Sequence, residues 1–471
     1  MHSGFSRRSL LKAGAAMGIA ALLPRAAAAA AGDGPVTLTA GEMPHLLPGC
    51  SEPSRFWGYN GTWPLELRVR RGQPFAAVLK NALPEHTAIH WHGLRIPFAM
   101  DGVPYFSQDP VEPGQSFRYA FTPPDPGTFF FHPHCDTVAQ LGRGLAGVLI
   151  VEDPRDAGLF DQEQTLVIKD WRVRKDGSFR EFSTAAGAAK AGTFGNLRTV
   201  NGGAAPTIVV RPGARLRLRL LNIDLTRIPM LGLRGAERAM VVATDGNACA
   251  PFAVDGWRLG PAMRADLALV MPMREGAEAF LEDIWSSKPH LLARIVTRGE
   301  AVRRDPGQPL TLPAAELPEP DLKAAGRLDF SLLAGHEDAG LAAWAKENGG
   351  GLDDLCLTRQ VFWSINRQAW PGMGPGLKAD PLFELKSGRS YVAEIFNGTP
   401  HTHPMHLHGH TFKVVGSTEE DVRPHWCDTV LVRPKERVRI AFVAGTPGDW
   451  MFHCHITEHQ ETGMMGYLRV I

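Results

Sequence analysis

Apolar residues in this chain come in short runs, and where charged residues join them the period is two. Leu65–Val69 and Leu216–Leu221 alternate aliphatic with charged positions, while Phe75–Leu79 and Ile208–Val210 are brief apolar stretches and Tyr391–Phe396 is apolar but for Glu394. A period of two sends successive side chains to opposite faces of a strand. The stretches are separated by Gly and Pro, so the pattern predicts many short strands joined by turns. One arrangement occurs three times: a turn, then alternating strands, then a loop carrying Pro or His. Asn60-Gly61 opens the first copy, Asn201-Gly202 the second, and Trp363-Ser364-Ile365-Asn366 the third. Asn-Gly between strand-like runs signals a hairpin. An all-β chain of three β-sandwich units in series is expected, over residues 32–155, 156–304 and 326–471, with a Pro-rich linker over 305–325. Gly335–Asn348 reads as a short helix or a lid, and Arg172–Ala191 has no clear assignment.

The length of 471 residues suits several domains, each with its own core. Fifty Lys and Arg against 49 Asp and Glu leave a net charge of +1, which gives no field for nucleic acid or an anionic membrane. The partner expected is therefore small. Ser6-Arg7-Arg8-Ser9-Leu10-Leu11-Lys12, the uncharged Ala13–Leu23 and the Ala26–Ala31 run are similar to a twin-arginine export signal occupying residues 1–31. Its apolar part is well short of the ~20 residues of a spanning helix. The chain after signal removal is expected to have no membrane span, to be a monomer, and to reside in the periplasm or outside a bacterial cell. Six cysteines are too few for a disulfide framework: besides Cys454 there are Cys50, Cys135, Cys249, Cys356 and Cys427, an odd number.

Histidine changes the picture. Eighteen scattered at random would give roughly 0.7 His-x-His pairs, but six occur: His90/His92, His132/His134, His401/His403, His406/His408, His408/His410 and His453/His455. On a strand, His-x-His sets two imidazoles side by side, which suits two neighbouring metal ions. For a lone histidine the ordinary reading is a core or surface residue, and this covers His2, His45, His86, His290, His336 and His425. In His453-Cys454-His455 the thiol faces away from the two rings, and Cys454, His459 and Met464 follow at five-residue steps. One further His would complete two His, one Cys and an axial Met, the ligand set of a blue-copper centre.

The runs His90-Trp91-His92-Gly93, His132-Pro133-His134, His403-Pro404-Met405-His406-Leu407-His408-Gly409-His410 and His453 through Met464 resemble the four copper motifs of the multicopper oxidases. The similarity extends from about Leu38 to the C-terminus. It implies three consecutive cupredoxin-like Greek-key β-sandwich domains and four copper ions. By position, His403, Cys454, His459 and axial Met464 would hold the type 1 copper, and His90 and His406 the type 2 copper. His92, His132 and His455 would hold one type 3 copper, and His134, His408 and His453 the other. All lie in the first and third units, so the second is expected to act as a spacer. Asp101 falls where the family carries an acidic proton donor near the type 2 copper, or else it is an ordinary Asp-Gly turn residue. Gln460 stands where several bacterial relatives carry Glu.

The resemblance implies a copper-dependent oxidase that takes electrons from a small reducing substrate and passes them to dioxygen. Laccase-like oxidation of phenols and aromatic amines is the first reading. Oxidation of Cu(I) or Mn(II) is the alternative, and between Arg327 and Trp363 there is no Met of the kind that suits Cu(I). A non-enzymatic exported cupredoxin-fold protein or a copper store is a different class, which the full set of His and Cys ligands disfavours.

Overall fold

The computed structural model describes residues 34–303, 311–334, 361–372, 374, 376 and 379–471. The export-signal residues, Gly335–Asn348 and Cys356 lie outside them. Among the described residues, six sheets account for the strands, in three pairs. The first pair closes over a core that includes Leu38, Ala77 and Tyr119 from one sheet and Leu67, Trp91 and Leu149 from the other. Leu216, Leu267, Leu231 and Ile295 do the same in the middle pair, and Ile395, Ile440, Met405 and Phe452 in the last. At ~1.5–3 kcal/mol for each buried aliphatic or aromatic side chain, such clusters supply the main stabilisation.

The three pairs share one topology. Val36–His45 runs parallel to Phe75–Asn81, Gln162–Trp171 to Arg215–Asn222, and Gly326–Ala334 to Ser390–Asn397. In the partner sheets, Leu65–Arg70 runs parallel to Gly147–Glu152, Thr207–Val210 to His290–Thr297, and Phe383–Leu385 to Met465–Val470. Parallel neighbours far apart in sequence need crossovers, as in Greek-key sandwiches. The fold is thus all-β and cupredoxin-like. Among the described residues no helix is long and apolar enough to cross a membrane.

The predicted turns form, but they do not close hairpins. Asn60, Gly61, Asn201, Gly202, Asn366 and Arg367 all have positive φ, as a two-residue primed turn requires. The strands on either side then join different sheets, with only the single bridges Tyr59–Thr62, Val200–Gly203 and Ile365–Gln368 between them. Each asparagine side chain explains why. Asn60 accepts from Thr39 N–H and donates to Thr37 O, Asn201 does so with Val167 and Thr165, and Asn366 with Ser331 and Asp329. The turn is stitched to the first strand of its own unit, and the chain leaves for the opposite sheet.

Arg215–Asn222 alternates charged with aliphatic side chains, and every residue in it is buried. Leu216, Leu218 and Leu220 face the middle core. The arginines lie on the other face: Arg219 donates to Thr128 Oγ1 of the first unit at 2.7 Å and pairs with Glu163 at 2.6 Å, while Arg217 pairs with Asp266 and Asp156 within the middle unit. Buried charges are tolerated because they are paired.

Candidate metal centre

Strand register brings the histidine motifs together. His90–His92 pairs antiparallel with Gly127–His132, setting His90 opposite His132. His403–Leu407 lies between Thr429–Val432 and Gly448–Cys454, setting His406 opposite His453 and Met405 opposite Cys454. Two glycines let the backbone pass. A Cβ on Gly102 would lie 1.7 Å from Ile89 O, and one on Gly93 would strike Asp428 and Arg264; both have positive φ.

Eight histidines from the first and third units meet in one buried cluster, none more than 2% exposed. Their possible ligand atoms fall into sets within 4.8 Å: His90, His92 and His406; His92, His132 and His455; and His134, His408 and His453. One ring nitrogen of most is fixed from outside. Nδ1 of His90, His132, His406 and His453 donates to the carbonyls of Asp101, Pro133, Asp428 and Cys454 at 2.8–2.9 Å. His408 Nδ1 donates to Asp101 Oδ2 at 2.8 Å, and His92 reverses the pattern, with Nε2 toward Asp428 Oδ1 at 3.1 Å.

Among the described residues, the other nitrogens have no protein partner: Nε2 of His90, His132 and His406, Nδ1 of His92, and both of His134 and His455. Burial, reinforced by neighbouring imidazoles, holds His92, His132, His134, His408, His453 and His455 well below the ordinary histidine range. The rings are neutral, which is the metal-binding form. With Nδ1 donating, Nε2 of His408 and Nε2 of His453 turn lone pairs toward each other at 3.0 Å. Such a contact is repulsive unless a cation lies between. These residues therefore fit copper. Asp101 also groups with His90 and His408, but hydrogen bonds to both rings account for it as an outer support.

His403, Cys454 and His459 form a separate buried set. Cys454 Sγ lies 3.5 and 3.6 Å from Nδ1 of His403 and His459, and those two nitrogens lie 3.0 Å apart. Nε2 of each ring is engaged elsewhere, His403 with Thr399 Oγ1 and His459 with Lys190 O, both at 2.7 Å. Burial pushes the Cys454 thiol far up and His459 down to about 3, so a thiolate here requires a bound cation. Met464 is fully buried, and its backbone joins the set: Met464 N–H donates to His459 O at 2.8 Å and Cys454 N–H to Met464 O at 3.0 Å.

The middle unit is more than a spacer. Its Arg264 grips the Asp428 carboxylate with both terminal nitrogens, at 2.9 and 2.5 Å, and donates to Thr128 O of the first unit. Its Asp245 accepts from the backbone of Asp428 and Thr429. Burial and the Asp428 charge push Asp245 up to about 7; burial also opposes ionisation of Asp428, but Arg264 and His406 hold it well below the carboxylate range. Asp428 in turn orients His92 and His406. Arg264, Asp245, Asp428 and Thr399 carried no repeated spacing that marks them in the sequence. Of the remaining paired histidines, His410 has both ring nitrogens bonded to protein, to His408 O and Gly445 N–H, and His401 is half-buried at the edge of Trp363. His45 bonds Gly202 O and stacks on Phe56, an ordinary structural role. Cys50, Cys135, Cys249, Cys427 and Cys454 are all free.

Residues 42–156 and 357–471 each match a family model described as "Multicopper oxidase". The chain resembles the crystal structure of a multi-copper oxidase from Pseudomonas Thermotolerans, at 37% identity and TM-score 0.81, over 93% of this chain and 99% of that one. It is 28% identical to the multicopper oxidase MmcO of Mycobacterium tuberculosis, over 98% of this chain and 95% of that protein. It is 27% identical to a laccase of Pycnoporus cinnabarinus, over 86% and 84% respectively.

Proposed function

Because the chain belongs to the multicopper oxidases, copper-dependent oxidoreductases, we propose that it couples one-electron oxidation of phenols or aromatic amines to four-electron reduction of dioxygen to water. Four coppers would be held: type 1 by His403, Cys454, His459 and Met464, type 2 by His90 and His406, and type 3 by His92, His132 and His455 and by His134, His408 and His453. Bound copper supplies the one-electron redox change at the thiolate and the reduction of dioxygen at the histidine cluster. The observation that carries the reading is the His453-Cys454-His455 run, whose thiol belongs to one buried donor set and whose two rings belong to others.

The chain's part in electron transfer is a short covalent path. Cys454 is one peptide unit from each flanking histidine, a span on the order of 10 Å on strand dimensions, and His453 Nδ1 also donates to Cys454 O. The protein orients six of the eight rings through one nitrogen and leaves the other toward the cluster, so that most of the donor geometry is set before a metal arrives. Asp101 is the proton donor in this reading. It is buried, and its carboxylate reaches the His408 ring. The assigned units 32–155 and 326–471 carry the ligands, and 156–304 locks them together. The chain is read as an exported monomer using the twin-arginine route to the periplasm.

Metal ions are the competing substrates, since an iron transport multicopper oxidase of Saccharomyces cerevisiae and a metallo-oxidase of Campylobacter jejuni are also relatives. The organic donor is favoured because the His459 ring edge is covered by a segment carrying the exposed cation Lys190. Oxygen uptake with a panel of phenols, Cu(I) and Mn(II), with copper counted in the same sample, is the test. Turnover should be fastest with phenols, and Cys454→Ser should lose both the blue colour and the uptake. Uptake with Mn(II) or Cu(I) alone would overturn the substrate reading, and an intense blue band in the Cys454→Ser protein would overturn the type 1 assignment.

A further inference from the structure

The residue beside His459 in sequence is a buried carboxylate that touches none of the donor sets. Glu458, 1% exposed, reaches into the middle unit and is held by three donors there. Thr193 Oγ1 donates to Oε1 at 2.6 Å, Thr193 N–H donates to Oε2, and Thr184 N–H donates to Oε1 at 3.3 Å. Thr184 and Thr193 are the two ends of one small loop. Thr184 Oγ1 accepts from Gly187 N–H at 3.0 Å, starting a single helical turn over Ala185–Ala188, and the two hydroxyls bond each other at 3.0 Å. The top of that loop covers the thiolate set. Lys190 O accepts from His459 Nε2, and Ala188 O accepts from the indole of Trp363, whose ring lies 4.5 Å from that of His459.

We infer that Glu458 is a positioning residue that clips residues 184–193 of the middle unit over the His403, Cys454 and His459 set. The clip decides both what reaches the His459 ring and how strongly that ring donates. The inference rests on the type 1 assignment. A carboxylate is needed because all three partners donate. An amide oxygen can satisfy one side, but its NH2 then faces an N–H, and one buried donor loses its acceptor. A loosened loop withdraws Lys190 O from His459 Nε2–H. An imidazole that loses such an acceptor becomes a weaker donor, favouring Cu(I) over Cu(II). It also uncovers the ring edge to bulky donors.

The test uses the full copper-loaded chain. In Glu458→Gln, amide hydrogen exchange over 184–195 should quicken by about tenfold or more while 215–222 stays unchanged, since opening is local. The blue band should persist, the type 1 potential should rise, and KM for a bulky phenol should fall several-fold while KM for hexacyanoferrate(II) holds. Unchanged exchange over 184–195, or exchange that quickens uniformly across the chain, overturns the clip. A potential that falls or stays put overturns the link to His459. Should Glu458→Gln fail to fold, Thr193→Val decides: it removes one donor and should quicken exchange over the same residues a few-fold, and no change there refutes the proposal. The exchange measurement needs no turnover, so it separates failure of the clip from failure of the oxidase reading.

Discussion

Asp101 bonds rings from two units at once, accepting from His90 through its carbonyl and from His408 through its carboxylate. An amide in its place has no readily ionisable proton. Asp101→Asn should therefore slow reoxidation of the fully reduced protein, by ~10²–10⁴-fold where proton transfer limits the rate, while reduction of the type 1 site by substrate stays near normal. Stopped-flow reoxidation with copper counted measures it; a variant with full copper that reoxidises at the normal rate makes Asp101 a turn residue. Lys169 makes a different prediction. It is fully buried, its Nζ has no hydrogen-bond partner among the described residues, and it lies 4.9 Å from the Trp171 ring. Burial lowers its pKa from 10.5 to about 8. Folding therefore favours the neutral amine: stability rises as pH climbs from about 8 toward 10.5, and the penalty is complete below 8. Lys169→Met should stabilise the chain by ~3 kcal/mol at pH 7 and flatten that slope, read from urea unfolding at pH 7 and pH 10.

Asn201 adopts φ 51° and bonds two backbone groups of the neighbouring strand. Asn201→Ala should cost about 2–4 kcal/mol, from an unpaired N–H and C=O and a strained backbone. Asn201→Gly should recover roughly 1 kcal/mol of this, because glycine accepts positive φ. Paired thermal melts give the difference, and equal costs would remove the backbone part of the account. The asparagines were legible as turn residues, but not the sheets they serve, because the partners that draw the chain across are backbone groups 21 to 37 residues away. Leu216–Leu221 was legible as a strand, but not as one buried on both faces. Alternation reports that two faces differ, not that either is wet. The histidine motifs could be read because they repeat at strand spacing; Asp428, Arg264 and Glu458 could not, since each is a single charge whose meaning lies in a contact across units.

The molecule as a whole is pinned where three units meet. Arg264 of the middle unit touches Thr128 in the first and Asp428 in the third. Replacing it with methionine leaves two buried carboxylates without their cation, a loss of about 3–5 kcal/mol. In Arg264→Met the calorimetric transition should broaden or split, and copper should leave the histidine cluster at a lower temperature than the blue colour fades. Joint loss of both in a single transition at the native temperature would show that the junction is not what couples the units.

Two of the stitched asparagines also bear on how the chain ages. In an Asn-Gly pair the glycine nitrogen can attack the asparagine side chain, shedding ammonia through a cyclic imide and leaving aspartate. That attack requires the amide to swing over the following peptide. Asn60 and Asn201 each precede glycine, but their amides are tied to a neighbouring strand by two hydrogen bonds. Only a unit that has opened locally can be damaged there, and the new carboxylate would then face a carbonyl oxygen and hinder reclosing. A slow gain of one mass unit at position 60 or 201 would count the openings of each sandwich over the protein's lifetime.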